Sequence, residues 1–324
     1  MIATRNRPVA LARCLSSLLA QSETSFRVIV VDDCSDQPLD PVVTAPRYAG
    51  LDLTLHRQAT PKGPAAARNA GVALASAEYL VFLDDDVRAD WRCVEVHLNA
   101  VRRSGANGRP VVSCGPFLEP SDWDPKPWNR WETIGARKEA GNLMHGVWPV
   151  TWRQFHTGNN CLPTALFRAT GGFDEEFRRA EDDEFALRLH GHGCTFSFQP
   201  AAIAWHYPDR TREAWLRIPR SYAVYNHRMD RLHPEARFME AHKLELEARH
   251  PAVRALRRVF GRRPLLRPAV HVAVDVAEVL YKAGLVRPSM AALSAAYDFS
   301  YTSALLRIEQ DDSVEAAAAI VAGA

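Results

Sequence analysis

The stretch Tyr79-Leu80-Val81-Phe82-Leu83-Asp84-Asp85-Asp86-Val87 constrains this chain more than any other. In it, five apolar or aromatic residues lead directly into three consecutive carboxylates. A short uninterrupted apolar run predicts a strand covered on both faces, as in the interior of a mostly parallel sheet. Unpaired carboxylates are not tolerated there, so Asp84, Asp85 and Asp86 are expected where the strand emerges, at its C-terminal edge. In open α/β sheets that edge is where ligands bind. Along an extended backbone Asp84 and Asp86 would point to one side and Asp85 to the other. Two carboxylates on one side repel each other unless a cation lies between them. An all-oxygen donor set favours a hard cation, Mg²⁺ or Mn²⁺. A solvated acidic turn after a strand has the same composition and is the simpler alternative.

The flanking sequence alternates strand and helix. Val9–Leu19 carries Leu11, Leu15, Leu18 and Leu19 at helical spacing. Phe26–Val31 is a second apolar run ending in acid, at Asp32-Asp33. Leu51, Leu53 and Leu55 alternate with polar residues and predict a third, half-exposed strand. Gly63–Gly71 reads as a helix start in small residues. This pattern, through about residue 100, predicts a parallel α/β sheet with right-handed crossovers. Val111–Cys114 predicts another strand. The tryptophan- and proline-rich stretch from Pro116 to Trp152 shows little periodicity and reads as a long surface excursion. Helices are expected at Ala165–Thr170 and Glu181–His190, and strands at Thr195–Phe198 and Ile203–Trp205, with His206 following.

Composition narrows the function classes. A hydrophobic fraction of 47% with 24% charged residues is that of a globular protein, and a net charge of +2 provides no global field for nucleic acid. The six cysteines show no metal-ligand spacing and read as buried thiols in a reducing compartment. With no apolar leader and no bilayer-length apolar run, a cytoplasmic protein is expected. From Tyr207 to Arg267 there are fifteen Lys/Arg against seven Asp/Glu, in a mainly helical pattern. Trp215, Tyr222, Tyr225 and Phe238 stand among these arginines. The region is expected either to pack as a helical appendage, over the acceptor side or on a second subunit in a homodimer, or to rest on anionic lipid at the inner membrane face. Packing is favoured. Ala269–Val286 predicts an apolar helix, and the Ala-rich end after Ser313 is expected to fray.

Four pieces in this order resemble the family 2 inverting glycosyltransferases of the GT-A fold. They are the Thr4–Pro8 loop with Val30-Val31-Asp32-Asp33, Ala67-Arg68-Asn69-Ala70-Gly71, Phe82-Leu83-Asp84-Asp85-Asp86, and Gly171-Gly172-Phe173-Asp174 followed by Glu181-Asp182. The resemblance covers about residues 1–210. It implies a GT-A catalytic domain there, with a nucleotide-binding half to about 105 and an acceptor half after it, and leaves 211–324 as a basic helical region. It also implies transfer of a sugar, with inversion, from a nucleotide-diphosphate donor to a hydroxyl or amine. UDP-sugars come first among donors, with dTDP- or GDP-sugars as alternatives; the acceptor would be a saccharide, a lipid-linked molecule or a small molecule.

Carried over residue by residue, Asp33 would accept a hydrogen bond from the base, with Thr4 and Arg5 lining the same pocket. Arg68 would lie near the nucleotide and diphosphate. Asp84 and Asp85 would flank the ribose and metal, with Asp86 as the direct ligand to Mn²⁺ or Mg²⁺ and His206 as a further ligand. Asp182 would be the general base, taking the acceptor's proton, with Glu181, Asn160 and Trp148 shaping the acceptor side. Without the resemblance, Asp33 caps a turn, Arg68 is a solvated helix residue and Glu184 with Arg188 is a simple i,i+4 pair.

One departure stands out. Members of this fold begin with a full apolar strand, whereas here only Met1-Ile2-Ala3 precedes the Thr4 loop. Poorly paired ladder groups are expected there, with either a start a few residues upstream or a vestigial strand. Two other functions compete. An aspartate-dependent phosphohydrolase or phosphotransferase would use Asp84–Asp86 but leaves Asp33 and Asp182 without roles. A non-catalytic nucleotide-sugar binding protein would share the fold alone.

Overall fold

The computed structural model describes residues 1–103, 108–238, 240, 247, 251, 267–311 and 313–322. It divides into two compact units, Met1–Trp123 with Thr133–Pro208, and Asp124–Glu132 with Asp209–Ala324.

The first unit is built on a seven-stranded sheet among the described residues. Its strands are β1 (Ile2–Thr4), β2 (Arg27–Asp32), β3 (Asp52–Arg57), β4 (Tyr79–Asp84), β6 (Val111–Cys114), β8 (Asn159–Pro163) and β9 (Thr195–Phe198), in the order β3-β2-β1-β4-β8-β6-β9. Every pairing is parallel except those of β8, which runs antiparallel to both β4 and β6. A smaller sheet joins β5 (Val87–Ala89), β10 (Ala204–His206) and β7 (Phe117–Leu118) in that order. Parallel strands require crossovers, and helices supply them. The helix α1 (Pro8–Leu18) begins with a proline in its first turn, where no N–H is needed. Its buried Leu11, Cys14, Leu15 and Leu18 form one core with Ile2, Val28, Val30 and Leu83. Two further helices, the short α2 (Asp40–Val43) and α3 (Pro64–Ala73), precede β4, and α3 packs Ala67 against Ile29 and Val31. After the sheet's central strands come α4 (Cys93–Arg102), α5 (Pro127–Met144), α6 (Thr164–Ala169) and α7 (Glu181–Gly191).

The short first strand is central, paired with β2 along its whole length and with β4 over its first two residues. Ile2, Ala3 and Thr4 pair with Val30, Val31 and Asp32 of β2, while Ile2 and Ala3 also pair with Leu83 and Asp84 of β4. Among the described residues the ladder stops at Met1, whose ammonium donates to the Val81 carbonyl (2.8 Å). Beyond it a cavity of about 260 Å³ continues the line of β1, lined by Val28 and Ile29 on one side and by Leu80 and Val81 on the other. Burial in this place lowers the ammonium's pKa to about 6.

Two expectations are corrected. The stretch from Pro116 to Trp152 is not an irregular excursion, because it contains the 18-residue α5. Its buried positions include Asn129, Thr133, Ala140 and Leu143, so polar and small residues stand where periodicity analysis looks for large apolar ones. The Ala-rich end does not fray within Val314–Ala322: it is a helix that buries Ile320. In the second unit, α8 (Arg212–Leu232), α9 (Arg267–Lys282) and α10 (Val286–Ile308) precede that final helix, α11. Trp128, Trp215, Val274, Leu293 and Phe299 form its core. Among the described residues no helix is long and apolar enough to cross a membrane. Residues 252–266, part of the basic region singled out by composition, lie outside the described residues.

Candidate active site

The strand β4 ends at Asp84, and Asp85 and Asp86 form a tight turn into β5. That turn overrides the strict alternation expected of an extended chain. Asp85 and Asp86 share one cation, since Arg7 Nη1 lies 3.0 Å from Asp85 Oδ1 and 2.9 Å from Asp86 Oδ2. Thr4 Oγ1 donates to Asp85 Oδ2 (2.7 Å). Asp84 turns elsewhere and accepts from Arg68 Nη2 (3.0 Å). Burial, then the neighbouring Asp86, raise the Asp85 pKa to about 6 against the pull of Arg7 and Thr4.

His206 reaches the turn through sheet pairing. It stands opposite Val87 in the antiparallel β10–β5 ladder, and the next residue's N–H, that of Tyr207, donates to the Asp86 carbonyl (2.9 Å). The imidazole Nε2 lies 3.5 Å from Asp86 Oδ1. A carboxylate and an imidazole side by side suit Mn²⁺ and fit Mg²⁺, a strict oxygen seeker, less well. This donor pair therefore fits a divalent cation. Among the described residues, no three such side chains stand ready as a metal cage. Asp84, Asp86 and His206 do not converge, because Arg68 holds Asp84.

Asp33 follows β2 and is buried. Its two oxygens accept from the backbone N–H groups of Lys62 (2.7 Å) and Gly63 (2.9 Å), which fixes the loop before α3. Gly63 has φ +92°, a conformation few side chains adopt. Asp32 is wholly buried and structural, accepting from Ser35 and from Arg57 Nη1 (2.9 Å). Arg5 is exposed.

Arg68, projecting from α3, ties the two acidic motifs together. Its guanidinium donates to Asp84 Oδ1 and, at 2.7 Å, to Glu181 Oε1. Neighbouring Asn69 clamps the loop ahead of α7: its Oδ1 accepts from Phe173 N–H and its Nδ2 donates to the Phe173 carbonyl, both at 2.9 Å. α7 then begins after Ala180, which is buried in the left-handed region at φ 59°. A non-glycine residue held there is strained, and such strain collects at functional sites. With Glu181 locked onto Arg68, the next carboxylate, Asp182, is half-buried; one of its oxygens, Oδ1, accepts from Asp183 N–H. Burial and then Glu181 raise its pKa to about 6, opposed by His156 and Arg68. Glu184 and Arg188 form the i,i+4 pair expected for this helix.

Three residues of this site gave no signal in the sequence reading. His156, just before β8, places Nε2 3.2 Å from Glu139 Oε1. Burial works to lower its pKa, but Glu139, then Asp182 and Asp183, outweigh that and hold it near 9. Gly158 lies under Asp84: a Cβ there would come 2.5 Å from Asp84 Oδ2. Arg7 is the third; its partners, Asp85 and Asp86, lie 78 and 79 residues further along the chain. Two expected residues sit differently. Asn160 is wholly buried within the sheet opposite Phe82, donating to the His156 carbonyl (2.8 Å). Trp148 is 41% exposed on the segment after α5.

With this geometry in view, the first 156 residues match the family model described as Glycosyl transferase family 2. The match spans just under half of this chain. The chain is similar to validoxylamine A glucosyltransferase of Streptomyces hygroscopicus subsp. jinggangensis, 29% identical over 66% of this chain and 56% of that protein. It is similar to the pre-mycofactocin glycosyltransferase of Mycobacterium tuberculosis, 28% identical over 67% of this chain and 44% of that one. Similarity to the amylovoran biosynthesis glycosyltransferase AmsB of Erwinia amylovora reaches 34% identity over 60% of this chain and 64% of that one. The chain thus spans about half the length of the first two relatives. Among solved structures, mannosyltransferase PcManGT from Pyrobaculum calidifontis, in complex with GDP-Man and Mn²⁺, superposes with a TM-score of 0.58 at 21% identity, covering 93% of this chain and 85% of that one. S. aureus TarS 1-349 in complex with UDP-GlcNAc gives 0.52 at 18% identity, covering 95% and 90%. The mostly parallel sheet flanked by helices is the GT-A fold.

Proposed function

We propose that this chain transfers a sugar from a nucleotide-diphosphate donor to a hydroxyl or amine, with inversion, in a direct displacement assisted by a divalent cation. The observation that carries the reading is the Arg68 bridge. It brings the acidic turn at Asp84 and the acidic first turn of α7 to one guanidinium, so a leaving-group site and a candidate base face one space. Asp86 and His206 would hold the cation, while Asp84 stays with Arg68. When bound, it would offset the charge that develops on the departing diphosphate.

Asp182 supplies the base. A hydroxyl is a poor nucleophile, and its attack on the anomeric carbon is eased as the carboxylate takes the proton. The new bond forms opposite the breaking bond to the diphosphate oxygen, whose electron pair leaves with the nucleotide. One displacement inverts the centre. Glu181, engaged by Arg68, orients the start of α7 in preference to serving as base. Asp33, Thr4 and Arg5 form the candidate base-binding loops, and Trp148 is the candidate acceptor-side aromatic. The similar structures bind UDP-GlcNAc and GDP-Man, which supports a UDP- or GDP-linked donor.

The test follows donor turnover with Mn²⁺ by ¹H NMR, reading the anomeric configuration of the first product in wild type and Asp182→Asn. The reading expects the inverted anomer, and turnover in the variant down by about 10²–10⁴-fold with nucleotide affinity kept. A retained anomer, or an undiminished Asp182→Asn, contradicts it.

A further inference from the structure

We propose that Arg7 is a built-in placeholder for the divalent cation, exchanging Asp85 and Asp86 for the donor's diphosphate when metal and donor enter together. The proposal rests on the reading of Asp86 and His206 as metal ligands. A single nitrogen, Arg7 Nη1, contacts both carboxylates, at 3.0 and 2.9 Å, and both carboxylates are only 6% exposed. Adjacent buried carboxylates repel each other and are poorly solvated, so without metal the turn needs a positive charge to keep its shape. Arg7 supplies it.

The geometry also separates what is fixed from what is free to move. The backbone of the Arg7 loop is pinned: Asn6, at φ 56°, donates its N–H to Ser35 Oγ (2.8 Å), and its side-chain Oδ1 accepts from Asp36 N–H (2.7 Å). The Arg7 side chain is long and 35% exposed. The guanidinium is thus the element able to swing. Arg7 occupies Asp86 Oδ2 while His206 lies beside Oδ1 of the same carboxylate. A divalent cation on Asp86 would therefore sit within contact range of a like charge, and the two compete. A guanidinium released at this point has a planar fork of donors that matches diphosphate oxygens, a better partner for it than a metal-bound carboxylate. Arg7 therefore weakens metal binding alone and strengthens binding of metal with nucleotide. A purely structural arginine would do neither.

The experiment titrates Mn²⁺ into the chain without nucleotide, reading free Mn²⁺ by electron paramagnetic resonance, for wild type, Arg7→Gln and Arg7→Lys. We expect Arg7→Gln to bind Mn²⁺ at least tenfold more tightly than wild type, with Arg7→Lys close to wild type. By calorimetry, Arg7→Gln should bind UDP or GDP with Mn²⁺ at least tenfold more weakly. Should Arg7→Gln fail to fold, the double variant Arg7→Gln with Asp85→Asn restores charge balance and is compared with Asp85→Asn alone, where the same tightening is expected. Unchanged or weaker Mn²⁺ affinity on loss of Arg7 overturns the proposal. Adding Asp86→Asn to Arg7→Gln separates the two failures. If Asp86→Asn abolishes Mn²⁺ binding but Arg7→Gln had not tightened it, the turn holds metal and only the role of Arg7 is wrong. If Asp86→Asn changes nothing, the metal reading of the turn falls, and the placeholder with it.

Discussion

Asp182 carries a carboxyl whose pKa stands near 6 because of burial and Glu181, and the chemistry proposed for it requires the ionised form. Turnover should rise with pH through about 6. His156 holds its proton to about 9 and pulls the Asp182 value down. Replacing it by glutamine should move the acid limb of the kcat/KM profile to higher pH; an unmoved limb would show that His156 does not act on the base. Stability changes in the opposite sense. A carboxyl whose folded pKa is raised holds its proton longer in the folded chain, so this group's contribution declines as pH rises from about 4 to about 6. At Gly158, alanine would drive a Cβ into Asp84 Oδ2. We expect Gly158→Ala to lower stability by about 1–3 kcal/mol and to weaken nucleotide binding, measured by melting and calorimetry. The acidic residues were legible in the sequence because carboxylates at strand ends have few interior explanations. Arg7 and His156 were not, because what gives them meaning is a partner about 80 residues away (Asp85, Asp86) or on the helix α5 (Glu139).

Elements differ in how they declare themselves. The strands β2 and β4 are legible as apolar runs, and α1 by its leucine spacing, because large side chains mark their buried faces. α5 is not, since Asn129, Thr133 and Ala140 occupy buried positions without marking them. The turn at Asp85-Asp86 was hidden for a different reason: alternation holds only while the backbone stays extended. β1 is the element most open to test. Its line continues into a cavity of about 260 Å³ between backbone edges of β2 and β4. Three strand-forming residues prefixed to Met1 should enter this slot, pair on both sides and move the terminal ammonium out of the core. Stability should rise by on the order of 2–4 kcal/mol from buried apolar area and new ladder bonds. An unchanged melting temperature would mean the slot does not accept a strand.

At the scale of the whole molecule, the GT-A fold was legible from the order of four short motifs, none of which is specific alone. The second unit was less so. Its basic composition describes a surface, whereas its core is set by scattered aromatics such as Trp128 and Trp215, which meet through tertiary packing. Donor and acceptor identity are set by pocket shape, which has no linear code. In the first unit, the proposed role of the acidic turn is to bind a nucleotide diphosphate through a divalent cation held at Asp86. The most direct measurement is calorimetric binding of UDP, GDP, dTDP and CMP, each with and without Mn²⁺, to wild type and to Asp86→Ala. One of the diphosphates should bind wild type only with Mn²⁺, and Asp86→Ala should abolish this binding. Binding that ignores Mn²⁺, or that survives in Asp86→Ala, would contradict the proposed role.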